Sequence, residues 1–154
     1  IGCIISKNPE FISTAMKFAQ ARLSPPTLAQ IASTAAMDTG EEYFDSVINE
    51  YNERRKTLIK GLNEIPGVKV SIPKGAFYCV VELPVQNSEN FAKWLLEDFS
   101  LNNETIMVAP AAGFYSSQNT GENQVRIAYV LNQPDLKTCV NILKNGLKEY
   151  LKND

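Results

Sequence analysis

The chain opens with an unbroken run of apolar and small residues, 1–5, without alternation of polar and apolar positions. Such a run is typical of a strand that is buried on both faces. A strand of this kind needs neighbouring strands, which are expected from sequence before Ile1. We therefore predict a buried opening strand and interpret the chain as a piece cut from a longer protein.

Three helices are predicted next, because apolar residues recur at helical spacing. Asn8 can cap a first helix over residues 9–22 that begins with a proline. A small apolar helix over residues 27–37 and a long amphipathic helix over residues 41–63 follow. The polar middle of the long helix, residues 52–57, suggests a helix that bridges two domains.

The rest of the chain predicts a β-β-α-β-β-α unit with its helices on one face of a small sheet. The first two strands form a hairpin or tight turn at Pro73-Lys74-Gly75, and a long loop precedes the last strand. Ser88 is predicted to cap the first helix of the unit, and Gln133-Pro134 to open the second. The predicted strands cover residues 68–72, 76–83, 106–108 and 125–131, the helices begin at residues 89 and 133, and the loop covers residues 110–123.

Composition excludes several classes of function. The 154 residues carry a net charge of −2 and no basic cluster, which argues against nucleic-acid binding. No apolar run reaches the length of a membrane span. The absence of histidine excludes Ser-His and Cys-His catalysis and histidine-ligated zinc within this chain.

The three cysteines, Cys3, Cys79 and Cys139, are widely spaced and each lies in an apolar stretch. An odd number at such spacing predicts buried free thiols rather than a disulfide or a metal site. Free thiols fit a reducing compartment, so we expect a cytoplasmic protein.

Arg126 is the residue whose chemistry stands out, because it lies inside an apolar strand. Burying a guanidinium is costly without an anionic partner, and its planar fork suits a carboxylate. Each charge-assisted hydrogen bond would contribute about 1.5–3 kcal/mol. We expect Arg126 to face inward toward a pocket that holds an acid group. The alternatives are a pair with an internal Asp or Glu, or a place on a solvated strand face.

Two other stretches accompany Arg126. The turn Pro73-Lys74-Gly75 leads into Ala76-Phe77-Tyr78, where the glycine suggests a positive φ. The long loop holds Val108-Ala109-Pro110 and Ala111-Ala112-Gly113-Phe114-Tyr115. A loop of this length in a compact domain is more often functional than not, with a plain surface loop as the alternative.

In this order and spacing the three stretches resemble the C-terminal part of fold-type I, aspartate aminotransferase-like enzymes that depend on pyridoxal phosphate. The family shows a G-A/T-F-Y strand, a loop with proline, glycine and phenylalanine, and then an R-I strand followed by a helix. Residues 1–3 and Leu23-Ser24-Pro25-Pro26-Thr27, with Gln30, resemble the earlier segments, so the resemblance covers essentially the whole chain.

The resemblance implies a function in several parts. Arg126 would bind the α-carboxylate of the substrate, and the strand at Phe77-Tyr78 and the loop from Ala109 to Phe114 would line the substrate entrance. Residues 1–50 would be the tail of the large, cofactor-binding domain together with interface helices, and residues 51–154 the small domain that closes over the substrate. The enzyme would move an amino group between an amino acid, aspartate or similar, and a 2-oxo acid, and would be a homodimer.

The chain also departs from the family pattern. The resemblance places the Schiff-base lysine, the phosphate-binding arginine and the aspartate that pairs with the pyridinium nitrogen upstream of Ile1. We therefore predict no catalytic, cofactor-binding or metal-binding residue in these 154 residues, interpret Lys7 as a solvated helix-entry residue, and expect the chain alone to be inactive. Ala111 and Ala112 stand where the family often has glycine and another small residue.

Two other classes of function remain open at this point. A β-β-α-β-β-α unit could be a free-standing module that binds a small acid through Arg126 without catalysis. Alternatively, the apolar helices between residues 11 and 36 could form a dimerisation module.

Overall fold

The computed structural model describes residues 1–152 and forms two compact units, Ile1–Asp45 and Ser46–Asp154. The boundary between the units falls inside one continuous helix, α3, which covers Glu41–Asn63. The assignment of residues 1–50 and 51–154 to two domains of a larger enzyme stays a prediction.

The first unit contains α1, Pro9–Arg22, and α2, Thr27–Ala36. The predicted cap of α1 is confirmed, because Oδ1 of Asn8 accepts hydrogen bonds from the backbone N–H groups of Glu10 at 3.0 Å and Phe11 at 3.1 Å. The predicted buried opening strand is wrong in this structure. Residues 1–5 form no strand and are exposed, since a strand requires a hydrogen-bonding partner and no described residue provides one.

The second unit is the predicted β-β-α-β-β-α arrangement, preceded by the end of α3. Its four strands form one antiparallel sheet in the order β1-β2-β4-β3. The strands and helices are β1 Lys69–Val70, β2 Tyr78–Glu82, α4 Ser88–Glu97, β3 Ala109–Pro110, β4 Gln124–Ala128 and α5 Gln133–Tyr150, with a 3-10 turn at Ala112–Phe114.

One face of this sheet is covered and the other is open. Side chains alternate along β2, so that Cys79 and Val81 are buried while Tyr78 and Val80 are exposed. The buried side chains meet the apolar faces of α3, α4 and α5 in one core, which confirms that the helices lie on one face. The helices contribute Leu58, Ile59, Leu62, Phe91, Leu95, Leu136, Ile142, Leu143 and Leu147. Fully burying a side chain of this size is worth about 1.5–3 kcal/mol.

The polar middle of α3 has a specific role in the second unit. Arg54 donates from Nη1 to the backbone oxygen of Val130 at 2.5 Å, and Arg55 donates from Nη1 to that of Pro73 at 2.8 Å. Thr57 bonds the side chain of Gln133 at 3.1 Å. These contacts tie the helix to the chain around both β2 and β4, which explains why this stretch is polar.

Several local predictions differ from the structure. The strands predicted over residues 68–72, 76–83 and 125–131 are one to three residues out at each end. The cap of α4 is Asn87, whose Oδ1 accepts from the backbone N–H groups of Glu89 and Asn90, so Ser88 is the first helical residue and is buried. Residues 106–108 are not a strand, because the pairing with β4 begins only at Ala109. The left-handed residue in the turn before β2 is Ala76, with a φ of 60°, rather than Gly75.

The cysteines agree only partly with the expectation. All three are free thiols, but Cys3 is exposed and Cys139 is half-buried, so only Cys79 is buried as predicted. Burial raises the pKa of the Cys79 thiol to about 11. Among residues 1–152, no helix has both the length and the apolar character needed to span a membrane.

Candidate substrate-carboxylate site

Arg126 lies at the centre of the sheet. It is in register with Val80 of β2 on one side and with Ala109 of β3 on the other. Its neighbours Val125 and Ile127 point to the opposite face, where Val125 is fully buried. The expectation that Arg126 faces inward is wrong, because its side chain lies on the open face, away from the helices.

Two aromatic rings hold the guanidinium of Arg126. Its central carbon lies 5.1 Å from the ring centroid of Tyr78 and 4.8 Å from that of Phe114. Tyr78 is the first residue of β2, and Phe114 is the last residue of the 3-10 turn in the long loop. The fold thus brings together the three stretches that stood out in the sequence, through cation–π contacts that keep the charge beside a partly apolar wall.

No carboxylate neutralises Arg126 within residues 1–152. The acidic residue on the same face of β2, Glu82, is already paired with Lys69 at 2.7 Å. The alternative of an internal ion pair is therefore excluded for this part of the chain. Arg126 does lie on an exposed strand face, as the second alternative predicted, but its guanidinium lies over the rings of Tyr78 and Phe114.

The long loop is held in place with the help of Gln124 and Gly121, two residues that the sequence motifs did not include. The hydroxyl of Tyr115 donates to Oε1 of Gln124 at 2.6 Å, and the backbone N–H of Ala111 donates to the backbone oxygen of Gln124 at 2.8 Å. Gly121 has a φ of 72°, and a Cβ there would overlap the ring of Tyr115. Only glycine suits this position, so Gly121 itself was the signal available in the sequence.

A groove of about 620 Å³ lies on the open face, lined mainly by residues of β1, β2 and the turn before β2 and not by Arg126 itself. Its walls include Tyr78, which touches the guanidinium, and Val80, which lies opposite Arg126 in the sheet. Tyr115 and Gln124 line it as well. Tyr78 therefore borders both the guanidinium of Arg126 and this groove, whose lining is mixed polar and aromatic.

This geometry can be compared with known proteins. Residues 1–143 match the family described as Aminotransferase class I and II. The chain belongs to the class I and II aminotransferases. It is 34% identical to an aspartate aminotransferase of Pyrococcus horikoshii over 126 residues, which cover 79% of this chain and 30% of that protein. It is 35% identical to an LL-diaminopimelate aminotransferase of Natranaerobius thermophilus over 115 residues, which cover 74% and 28% of the two chains.

A solved aminotransferase shares the fold as well. The structure of LysN, an α-aminoadipate aminotransferase from Thermus thermophilus, superposes with a TM-score of 0.82 and 25% identity over 96% of this chain and 38% of its own. That structure holds N-(5'-phosphopyridoxyl)-L-leucine. The present chain spans about 30% of the length of the curated aminotransferases it matches.

Class I and II aminotransferases use pyridoxal phosphate, whose aldehyde reacts with amines and acts as an electron sink when bound. A lysine that forms an imine is activated by desolvation or by a neighbouring cation. Every lysine in this chain has an exposed side chain, including Lys7 at the start of α1 and Lys74 before β2. The lysines of these 154 residues therefore do not fit the aldehyde of the cofactor.

Proposed function

We propose that this chain supplies substrate recognition in a longer pyridoxal-phosphate-dependent aminotransferase, with Arg126 binding the α-carboxylate of the amino acid. The observation that carries the proposal is a guanidinium that lies over the rings of Tyr78 and Phe114 with no acidic partner among the described residues. A cation that is held by two aromatic contacts and has no internal anion is suited to an acid from solution.

The geometry of the guanidinium supports binding of a carboxylate in particular. Aromatic contacts at 4.8 and 5.1 Å occupy the guanidinium carbon and leave the N–H groups at its edge for two parallel hydrogen bonds. The two rings also restrict the side chain before the substrate arrives, which lowers the entropy lost on binding. A lysine could not replace this function, because an ammonium group lacks the planar fork.

The enzyme is proposed to transfer an amino group between an amino acid, such as aspartate, and a 2-oxo acid. Residues 51–154 would act as the small domain that closes over the substrate and excludes water. The Arg126 strand lies at the centre of a sheet backed by three helices, so this domain can move as a rigid body that carries the carboxylate site.

Residues 1–50 are proposed to belong to the large domain and to the interface of a cytoplasmic homodimer. Large apolar side chains of α1 and α2 are exposed in this structure, among them Phe11, Phe18 and Ile31. Many large apolar side chains exposed on two helices are typical of a surface that contacts other protein.

Kinetics of the longer enzyme test the central role of Arg126. Arg126→Gln removes two charge-assisted hydrogen bonds, so we expect kcat/KM for the amino acid to fall by about 10²–10⁴. Arg126→Lys keeps the charge but lacks the planar fork, so its kcat/KM should lie between those of the wild type and Arg126→Gln. A kcat/KM unchanged in Arg126→Gln would show that the arginine is structural and would remove the basis of the proposal.

A further inference from the structure

A second cavity lies between α3 and the turn before β2, and it is not part of the Arg126 site. It has a volume of about 510 Å³, within the range of pockets that hold small ligands. Two cationic side chains line it, Arg55 and Lys74, and no acidic residue does. We propose that this cavity binds a small aromatic carboxylate through Arg55 and Lys74.

The two cations of the cavity wall lack acidic partners among the described residues, whereas neighbouring cations have them. Arg54, the residue before Arg55, pairs with Glu50 at 2.7 Å, and Lys69 pairs with Glu82 at the same distance. Arg55 and Lys74 have no carboxylate within 4.0 Å among residues 1–152. An anion bound in the cavity would therefore meet two cations that have no acidic partner among the described residues.

Arg55 is held in a fixed position. It is half-buried, and its Nη1 donates to the backbone oxygen of Pro73 at 2.8 Å. This bond uses one of the five N–H groups of the guanidinium and leaves others for a ligand. The nearness of Arg55 to Tyr129 shows in the pKa of the buried Tyr129 hydroxyl, which burial raises and the Arg55 charge partly lowers.

The rest of the wall determines what kind of anion fits. Tyr51, Phe77 and Tyr129 line the cavity with aromatic rings, and Val47 and Ile48 add aliphatic surface. The hydroxyl of Tyr129 donates to the backbone oxygen of Ala76 at 3.0 Å, so the polar end of that ring is already engaged. An aromatic ring with a single carboxylate therefore matches both parts of the wall: the ring packs on the aromatic surface, and the planar acid group meets the fork of Arg55.

The cavity and the Arg126 site are separate but adjacent. Phe77 lines the cavity, and its ring lies 5.6 Å from the ring of Tyr78, which contacts Arg126. Arg126 lies on the open face of the sheet, whereas Tyr129 belongs to the buried face. The chain would therefore hold two acid-binding sites, which meet at the neighbouring residues Phe77 and Tyr78.

Fluorine NMR titration of the 154-residue chain with 4-fluorobenzoate tests the proposal, with 4-fluorobenzamide as the neutral matched probe. We expect saturable binding of the acid, and binding of the amide weaker by about tenfold or more, since the amide loses the charge-assisted bonds. Lys74→Ala and Arg55→Gln should each weaken binding of the acid by about tenfold on the same reasoning. Lys93→Ala, an exposed cation on α4, is the control and should leave the affinity unchanged.

The variants also show whether the probe binds in the cavity or at Arg126. Lys74 is exposed and forms no ion pair within the described residues, so Lys74→Ala should fold even if Arg55→Gln does not. Binding lost in Arg126→Gln but kept in Lys74→Ala would place the acid at the other site and overturn the proposal. Equal affinity for the acid and the amide, or no saturation at all, would overturn it as well.

Discussion

The aromatic contact between Phe114 and Arg126 offers a quantitative test of how the carboxylate site is organised. Phe114→Leu keeps an apolar side chain of similar volume but removes the π face that lies 4.8 Å from the guanidinium carbon. The second ring, that of Tyr78, remains at 5.1 Å. The variant therefore weakens the restraint on Arg126 without removing the cation.

The expected size of the effect follows from exposure. Phe114 is 62% exposed, so its contact belongs at the weak end of cation–π interactions, about 0.5–1 kcal/mol. This contact restrains the guanidinium in its binding orientation, so its loss should weaken carboxylate binding about two- to fivefold. This loss is far smaller than that expected for Arg126→Gln, because both hydrogen bonds to the acid remain.

The assay follows the Nε–Hε resonance of Arg126 by nitrogen-15 NMR while the 154-residue chain is titrated with sodium propionate. The dissociation constant should rise about two- to fivefold in Phe114→Leu, because the cation–π contact is lost, and stay unchanged in Phe114→Tyr, which keeps the ring face. In the longer enzyme the same change should raise KM for the amino acid and leave kcat unaltered, as expected for binding lost equally from ground and transition states. An unchanged dissociation constant in Phe114→Leu, or equal losses in the leucine and tyrosine variants, would refute the reasoning.

Three further predictions concern the scaffold. A Cβ at Gly61 would lie 2.8 Å from Cγ1 of Val140, so Gly61→Ala should destabilise the wild type, whereas in a Val140→Ala background the same change should stabilise by up to about 1 kcal/mol through helix propensity. Urea unfolding of all four proteins measures the coupling between the two sites, and additive effects would contradict the close packing of α3 on α5. Ala76→Gly should raise the free energy of unfolding by roughly 1 kcal/mol, because Ala76 has a φ of 60°, while Gly75→Ala, whose Cβ meets only open space, should not lower it by more than a few tenths. A lower melting temperature for Ala76→Gly than for Gly75→Ala would show that Ala76 is not the left-handed residue of the turn. Burial raises the pKa of Cys79 from 9.0 to about 11, so above pH 9 the unfolded thiol ionises while the folded one does not, and stability should fall by up to about 2 kcal/mol as the pH rises through this window. Denaturant unfolding at pH 8 and pH 10.5 should show this loss in the wild type and a smaller loss in Cys79→Ala, and equal losses would rule out the thiol as the cause.

The helices could be predicted from sequence because their signals are local. The bounds of α3, Glu41–Asn63, follow from apolar spacing alone, and Asn8 caps α1 through bonds to residues two and three positions away. The order of strands and helices in the second unit follows for the same reason. Where two capping residues stand together, as at Asn87 and Ser88, the pattern cannot choose between them, and the choice depends on which side chain reaches the free N–H groups.

The strands were harder to place, because a strand exists only when another segment supplies its hydrogen bonds. Residues 1–5 and 106–108 have the composition of strands, yet neither is a strand in this structure. Composition expresses a tendency to be buried in a sheet, whereas the partner is decided elsewhere in the chain.

The sequence by itself determined the helices, the class of fold, the family resemblance and the choice of Arg126 as the residue to follow, since all of these depend on local spacing or on the order of short motifs. Only the tertiary structure decided which face of the sheet Arg126 occupies, that Tyr78 and Phe114 stack on it, and that Arg55 and Lys74 line one cavity without an acid. The physical reason is that these relations join residues far apart in the chain through strand register and helix packing. A local sequence pattern therefore cannot predict these contacts.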